Sequence, residues 1–168
     1  MVMLFLVFSD LHGSLSGLDR LKRAIEAFSP DALIDLGDSF RGAFDSDSSA
    51  VAEFLSSSAA PTIFVKGNCD FDSDGYRVGA TLEDSLDLTL FGKAFRLSHK
   101  PPTRLGYQGY LFGHTHRKTL YQDGGVVYCN PGSIALPRDG SESFALMDES
   151  GIRLVDASSL RVIEHLEF

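Results

Sequence analysis

Apolar positions follow two rhythms along the chain. Residues 2–8 are apolar almost without interruption, which predicts a strand buried on both faces. Leu18, Leu21, Ile25 and Phe28 then recur at helical spacing through residues 15–28, and Pro30 ends that stretch. A second apolar run covers residues 32–36. Residues 48–58 carry Val51, Phe54 and Leu55 on one face and are closed by Pro61, and residues 62–65 form a third run. Residues 1–66 therefore read β-α-β-α-β, a parallel sheet with right-handed crossovers.

The second half changes rhythm. Short apolar segments at 86–91, 94–97, 110–112, 125–129, 144–148, 152–156 and 162–168 are separated by turn residues. Gly92-Lys93, Asp123-Gly124-Gly125 and Glu149-Ser150-Gly151 read as hairpin connections. A β-rich half after a βαβ half predicts two packed sheets flanked by helices, within one domain spanning residues 1–168. The serine-rich stretch at 45–58 reads as a loop and a helix with a polar outer face rather than a linker.

Composition narrows the class of partner. Fifteen Lys and Arg against 23 Asp and Glu give a net charge of −8, with 43% hydrophobic and 23% charged residues. This is an ordinary globular composition. Its acidic balance argues against strong binding to nucleic-acid backbones, an affinity that Lys and Arg supply. No apolar run approaches the ~20 residues of a membrane span. The apolar start lacks a basic lead and a cleavage site and passes directly into Ser9-Asp10, so it reads as a first strand, and a cytoplasmic location is expected. Cys69 and Cys129 show no CxxC spacing, which suggests neither a disulfide framework nor a structural zinc site.

Four short segments place metal-capable residues just after an apolar run: Asp10-Leu11-His12, Gly37-Asp38, Gly67-Asn68-Cys69-Asp70 and Gly113-His114-Thr115-His116. In extended backbone, residues two apart point to the same side, so Asp10 aims with His12 and His114 with His116. The carboxyl ends of parallel strands are where such sheets bind ligands. Of the five histidines, His12, His114 and His116 fall in these segments and His99 ends the 94–97 run; only His165 lies elsewhere, and it reads as having no part in a site. Asp10, Asp38 and Asn68 add oxygen donors. A mixed oxygen and imidazole set of seven suits two borderline metal ions better than one, and paired metals ~3.5–4 Å apart serve displacement at phosphorus.

The ordered set Asp-x-His, Gly-Asp, Gly-Asn-x-Asp, His and Gly-His-Thr-His resembles the calcineurin-like metallophosphoesterases. Gly-Asn-Cys-Asp and Asn130-Pro131-Gly132-Ser133 make the chain more similar to their small bacterial and archaeal phosphodiesterase branch, of the YfcE type. The resemblance runs from residue 5 to residue 135. It implies an α/β, four-layer α/β/β/α sandwich of two mixed sheets flanked by helices. It also implies a dinuclear metal-dependent phosphodiesterase, with attack by a hydroxide bridging two divalent ions, manganese first and iron, zinc, nickel or cobalt also permitted. Asp10, His12 and His116 would hold one ion, Asn68, His99 and His114 the other, and Asp38 both. Asp70 would orient its neighbours. The Asn130–Ser133 stretch reads either as a turn lining the site or as a purely structural Pro-Gly turn. The implied substrate is a small phosphodiester, and a homodimer or higher homo-oligomer is the expected assembly. A phosphomonoesterase using the same site and a non-catalytic scaffold like the retromer subunit of this fold are the alternatives.

Two features depart from the family pattern. Many members have a second His directly after the Asn as proton donor to the leaving group, whereas here that position is Cys69, a weaker donor. It either tunes the choice of leaving group or is simply a small packed residue. Lys100-Pro101-Pro102 follows His99 where Gly is usual, and residues 100–109 are short for a connection between parallel strands. Lys100 is either a positive charge for a phosphate or a solvated lysine.

Overall fold

The computed structural model describes residues 3–42, 45–103 and 105–168. Val2, where the first apolar run begins, and Arg104, within the short 100–109 segment, lie outside them. In chain order the elements are β1 (Phe5–Phe8), α1 (Leu15–Phe28), β2 (Ala32–Asp35), α2 (Ser46–Ser57), β3 (Thr62–Phe64), α3 (Asp72–Val78), β4 (Ser85–Leu90), β5 (Lys93–Ser98), β6 (Gly109–Phe112), β7 (Lys118–Asp123), β8 (Val126–Pro131), β9 (Ser143–Asp148), β10 (Gly151–Asp156) and β11 (Val162–Glu167). No helix among the described residues is long and apolar enough to cross a membrane.

The helix ends follow from local chemistry. The Ser14 hydroxyl accepts the Gly17 N–H and starts α1, and Ser29, in the left-handed region at φ 47°, ends it just before Pro30. Asp45 caps α2 by accepting the Ser48 N–H, so this helix starts two residues earlier than its apolar stripe suggests.

Two mixed sheets result, as expected. The six-stranded sheet runs β11-β10-β9-β1-β2-β3, with β1, β2 and β3 parallel and β9, β10 and β11 antiparallel. The five-stranded sheet runs β4-β5-β6-β8-β7, with β5, β6 and β8 parallel between two antiparallel edges. Alternation along β1 divides the core. Leu6 and Phe8 pack with Leu33 against Leu18 and Leu21 of α1 and Val51 and Leu55 of α2. Phe5 and Val7 join Ile34 and Leu36 between the sheets, facing Phe95, Leu97, Leu111, Val127 and Cys129. A strand sandwiched in this way has no polar face, which is why its sequence is continuously apolar.

Helices α1, α2 and α3 all belong to the six-stranded sheet's side. The parallel strands β5 and β6 are joined by ten residues, with no helix among the described ones. Gln108 pins that connection by exchanging two hydrogen bonds with Ala94, and Tyr107 folds over the outer face of the second sheet onto Tyr110, its hydroxyl bonded to Asp87. Tyr110, Tyr128 and Tyr121 continue as a stacked row on that face.

Two elements escaped the sequence pattern. Helix α3 is short and polar and has no apolar stripe; its N-terminus is fixed by the Phe71 N–H to Asp74 bond. Strand β7 buries only Leu120 among its six residues and exists because Gly124-Gly125, both at positive φ, turns it back on β8. Asn130 and Pro131, read as part of a turn, close strand β8; the turn begins at Gly132, with φ 77°.

Gly109 is a packing requirement of the second sheet, because an added Cβ would overlap the ring of buried Phe95. Gly109→Ala should cost ~1–3 kcal/mol in urea unfolding. The cost should shrink in a Phe95→Leu background, where the ring is gone.

Candidate metal centre

The loops after β1, β2, β3, β5 and β6 meet at one end of the sandwich. The β1–β2 ladder continues past the strand ends: the N–H groups of Asp10, His12 and Gly13 donate to the carbonyls of Gly37, Asp38 and Ser39. The Gly113 N–H donates to the His99 carbonyl and joins the β5 and β6 loops. Asp10, His12, Asp38, His114 and His116 all have φ between 50° and 68°. They are five of the eight non-glycine residues in that region among the described ones. Left-handed backbone is unfavourable for side chains with a Cβ and concentrates at functional sites. The i, i+2 pairs therefore converge, but through paired left-handed kinks rather than the extended backbone the spacing suggests.

The donor atoms form a compact cluster. Asp10, His12 and His116 bring theirs within 4.8 Å of one another, as do Asp38, His99 and His114, and as do His12, Asp38 and Cys69. His12 Nε2 approaches His116 Nε2 to 3.4 Å, and His114 Nδ1 approaches His99 Nε2 to 3.3 Å. Asp10 Oδ1 faces His116 Nε2 at 3.3 Å, His12 Nε2 at 3.8 Å and His99 Nε2 at 3.9 Å. It is buried and has no hydrogen-bond partner. Asp38 Oδ1 accepts the Cys69 N–H, which leaves Oδ2 facing His99 at 3.2 Å and His12 at 3.8 Å. A buried carboxylate oxygen without a donor, ringed by imidazole nitrogens, fits a cation and would be costly without one. Asn68 is exposed and opens on the same hollow as His99.

Surrounding groups aim these donors. His99 Nδ1 pairs with the Leu36 carbonyl at 2.7 Å and His116 Nδ1 with the Leu136 carbonyl at 2.6 Å, so each directs Nε2 inward. Asp70 accepts the N–H groups of Asp38, Gly67 and Phe40, tying the second and third loops together as an orienting residue. Asn130 donates to the Gly113 carbonyl and Thr115 hydroxyl, and Ser133 donates to the Asp10 carbonyl. The Asn130–Ser133 stretch thus supports two donor loops. Gly67 lies so close to Asp38 that any Cβ would overlap its carboxylate, and a Cβ on Gly113 would overlap Ser9.

The comparisons bear on this cluster directly. Residues 3–151 match the model of the calcineurin-like phosphoesterase superfamily domain. The chain belongs to that superfamily. It is 27% identical over 171 residues to phosphodiesterase YfcE of Escherichia coli K12, covering 92% of each chain. It is 29% identical over 170 residues to the probable metallophosphoesterase YsnB of Bacillus subtilis, covering 90% of this chain and 89% of that one. The solved structure of the Escherichia coli phosphoesterase Yfce superposes with a TM-score of 0.87 at 25% identity, over 98% of this chain and 99% of that one. Vps29 from Entamoeba histolytica, solved in complex with zinc, shares the fold with a TM-score of 0.66 at 19% identity, over 98% and 99% of the two chains.

Charge in this phosphoesterase site is arranged for cations. Burial alone would raise the Asp38 carboxyl, but hydrogen bonds from His99 and the Cys69 N–H, with the charges of His99 and His12, bring it down to about 2. Burial lowers His12, and its two carboxylate neighbours do not offset it. Burial also works against the charged form of His99, yet the hydrogen bond and charge of Asp38 raise it. Burial and nearby Asp38 push the Cys69 thiol up to about 11. His165 sits on edge strand β11 opposite Arg153 and joins no cluster.

Sequence reading passed over Asp35. It is fully buried, with Oδ1 accepting the Gly37 N–H and Oδ2 the Ser39 hydroxyl, and so clamps the turn that presents Asp38. An acid within an apolar run was the available signal. Burial, then the charge of Asp70, pushes its carboxyl up to about 7 against those hydrogen bonds. A carboxyl with a folded pKa above its unfolded value of ~3.9 loses stabilisation as pH rises between the two. Asp35→Asn keeps an acceptor for Gly37, so it should raise the Tm of metal-free protein at pH 8. The gain should be worth ~1 kcal/mol or more and should close toward pH 4. An equal gain at both pH values would show that Asp35 does not titrate in this range.

Proposed function

We propose that the chain is a phosphodiesterase dependent on two divalent metal ions. The observation that carries this reading is the placement of Asp38 Oδ2 between His99 and His12, with Oδ1 already committed to the Cys69 N–H. Asp10, His12 and His116 would hold one ion, His99, His114 and Asn68 the other, and Asp38 would touch both. Manganese is the first candidate on family grounds, and the mixed donors also suit iron, zinc, nickel or cobalt. Bound there, two divalent ions supply Lewis-acid stabilisation of phosphoryl oxygens and lower the pKa of water toward neutrality.

The residues themselves do the positioning. The Leu36 and Leu136 carbonyls fix the His99 and His116 rings, and Asp70 locks the Asp38 and Gly67 loops in register. Such pre-set geometry removes reorganisation from the reaction. Diester cleavage is favoured over monoester cleavage by the likeness to YfcE, whose name is phosphodiesterase, over 92% of both chains. The likeness to Vps29 at 19% identity bears on the fold alone.

The Cys69 sulfur lies beside the His12 and Asp38 donor atoms and is half-exposed, unlike a packed core residue. Its thiol keeps its proton at neutral pH and releases it poorly. The reading therefore favours diesters whose leaving group departs unprotonated.

Asp38→Asn should abolish turnover of bis(p-nitrophenyl) phosphate and reduce bound metal in elemental analysis while the circular dichroism spectrum stays unchanged. Near-native turnover with manganese would rule out the two-ion reading. Cys69→His would place a donor of near-neutral pKa at the cluster. Well-placed general acids contribute ~10²–10⁴-fold. The variant should gain far more on an alkyl or nucleoside leaving group than on p-nitrophenolate, at unaltered metal content. Equal changes on both would remove Cys69 from the chemistry.

A further inference from the structure

Two hollows open beside the His99 end of the cluster. The inner one, about 280 Å³, lies between Lys66, Gly67 and Asn68 on one side and Ser98, His99 and Lys100 on the other. The outer one, about 360 Å³, continues over Ser85 and Arg96 to a wall of Pro101, Pro102 and Thr103. Asp84, Ser98 and Lys100 line both, so the two form one cleft leading away from the donors. Its size is in the range that holds a small molecule, well beyond a single phosphate.

The wall is stiff for a covalent reason. Pro101 restricts Lys100 to extended backbone, and the two prolines have fixed φ. Ser98 Oγ donates to the Lys100 carbonyl and closes the bend directly after His99. The lysine is thus presented at a set place by the same shortened connection that lacks a helix.

Four charged side chains face the cleft, and two are already engaged. Lys66 pairs with Asp72 at 2.5 Å, and Arg96 pairs with Asp87 at 2.6 Å while also donating to Ser85 and Tyr107. Among the described residues the Lys100 ammonium has no ion pair or hydrogen bond, and the Asp84 carboxylate, also without either, acts on Lys66 through its charge alone. Among the described residues, the cleft therefore offers a ligand an ammonium without a counter-ion, a carboxylate without a hydrogen bond and several hydroxyls. A phosphate meets the ammonium, and sugar-like hydroxyls donate to the carboxylate.

We propose that this cleft seats a hydroxylated, phosphate-bearing arm of the diester, with Lys100 pairing with the arm's phosphate and Asp84 accepting from its hydroxyls. The assignment rests on the phosphodiesterase reading for its reaction, while the binding preference stands on the cleft itself. It makes the favoured substrate a nucleotide-like diester carrying a second phosphate rather than a diester with two neutral arms.

The test compares uridine 5′-(p-nitrophenyl phosphate) with its 3′-phosphorylated form, which share one leaving group and a 2′-hydroxyl and differ in whether the 3′ oxygen carries a phosphate. With manganese-loaded enzyme, kcat/KM should favour the 3′-phosphorylated ester about threefold or more at low salt, as expected of a partly exposed ion pair, and the preference should fade as salt rises. Lys100→Gln should erase this ratio and Lys100→Arg should retain it. Calorimetric binding of uridine 3′,5′-bisphosphate against uridine 5′-phosphate reads the same preference without turnover. No preference in the wild type, or an equal one in Lys100→Gln, would overturn the proposal. If neither ester is hydrolysed with any divalent ion but the binding preference is present and lost in Lys100→Gln, the cleft assignment stands and the phosphodiesterase reading falls.

Discussion

Asp38 is held at its backbone N–H, its carbonyl and one carboxylate oxygen, which leaves Oδ2 to face the histidines of the cluster. Its backbone N–H is bound by Asp70, its Oδ1 by the Cys69 N–H, and its carbonyl by the His12 N–H. Loops from three strands therefore meet on one residue, and Gly67 must lack a side chain for them to do so. The bond to Asp70 is buried and the one from Cys69 partly so, and loss of a partner there leaves a polar group stranded in low dielectric. The left-handed backbone at Asp10, His12, Asp38, His114 and His116 is tolerable only because this network overdetermines it.

That network needs a rigid base, which the two cores supply. Strands β1 and β2 are buried on both faces, against helices on one side and the second sheet on the other. Their carboxyl ends cannot move without disturbing both cores. The donor loops from the second sheet are joined to this base by the His99 bond to the Leu36 carbonyl and the His114 N–H bond to Asp10. The cluster is a contact between sheets as much as a set of loops.

The second sheet also shapes the surroundings of the cluster. Ten residues join β5 to β6, Tyr107 covers part of the sheet's outer face, and the segment's first residues become one wall of the cleft beside His99. Loop length here alters the surroundings of the donors while leaving the donors in place.

Periodicity alone exposed the βαβαβ half and most of the β-rich half, because buried strands and amphipathic helices write their burial into residue order. The strand β7 and the helix α3 were invisible because one is held by a glycine turn and a neighbour, and the other by a polar cap, neither of which leaves an apolar period. Residue type and spacing also singled out the Asp and His side chains that the fold brings together, since few sequences place such residues after so many apolar runs. The sequence could not show that Asp10 and His12 converge through left-handed kinks, that Asp35 clamps the turn before Asp38, or that Lys100 borders a cleft. The kinks and the cleft depend on segments far apart in the chain and the Asp35 clamp on local bonds around a buried acid, and backbone hydrogen bonds and excluded volume decide them only once the two sheets have packed.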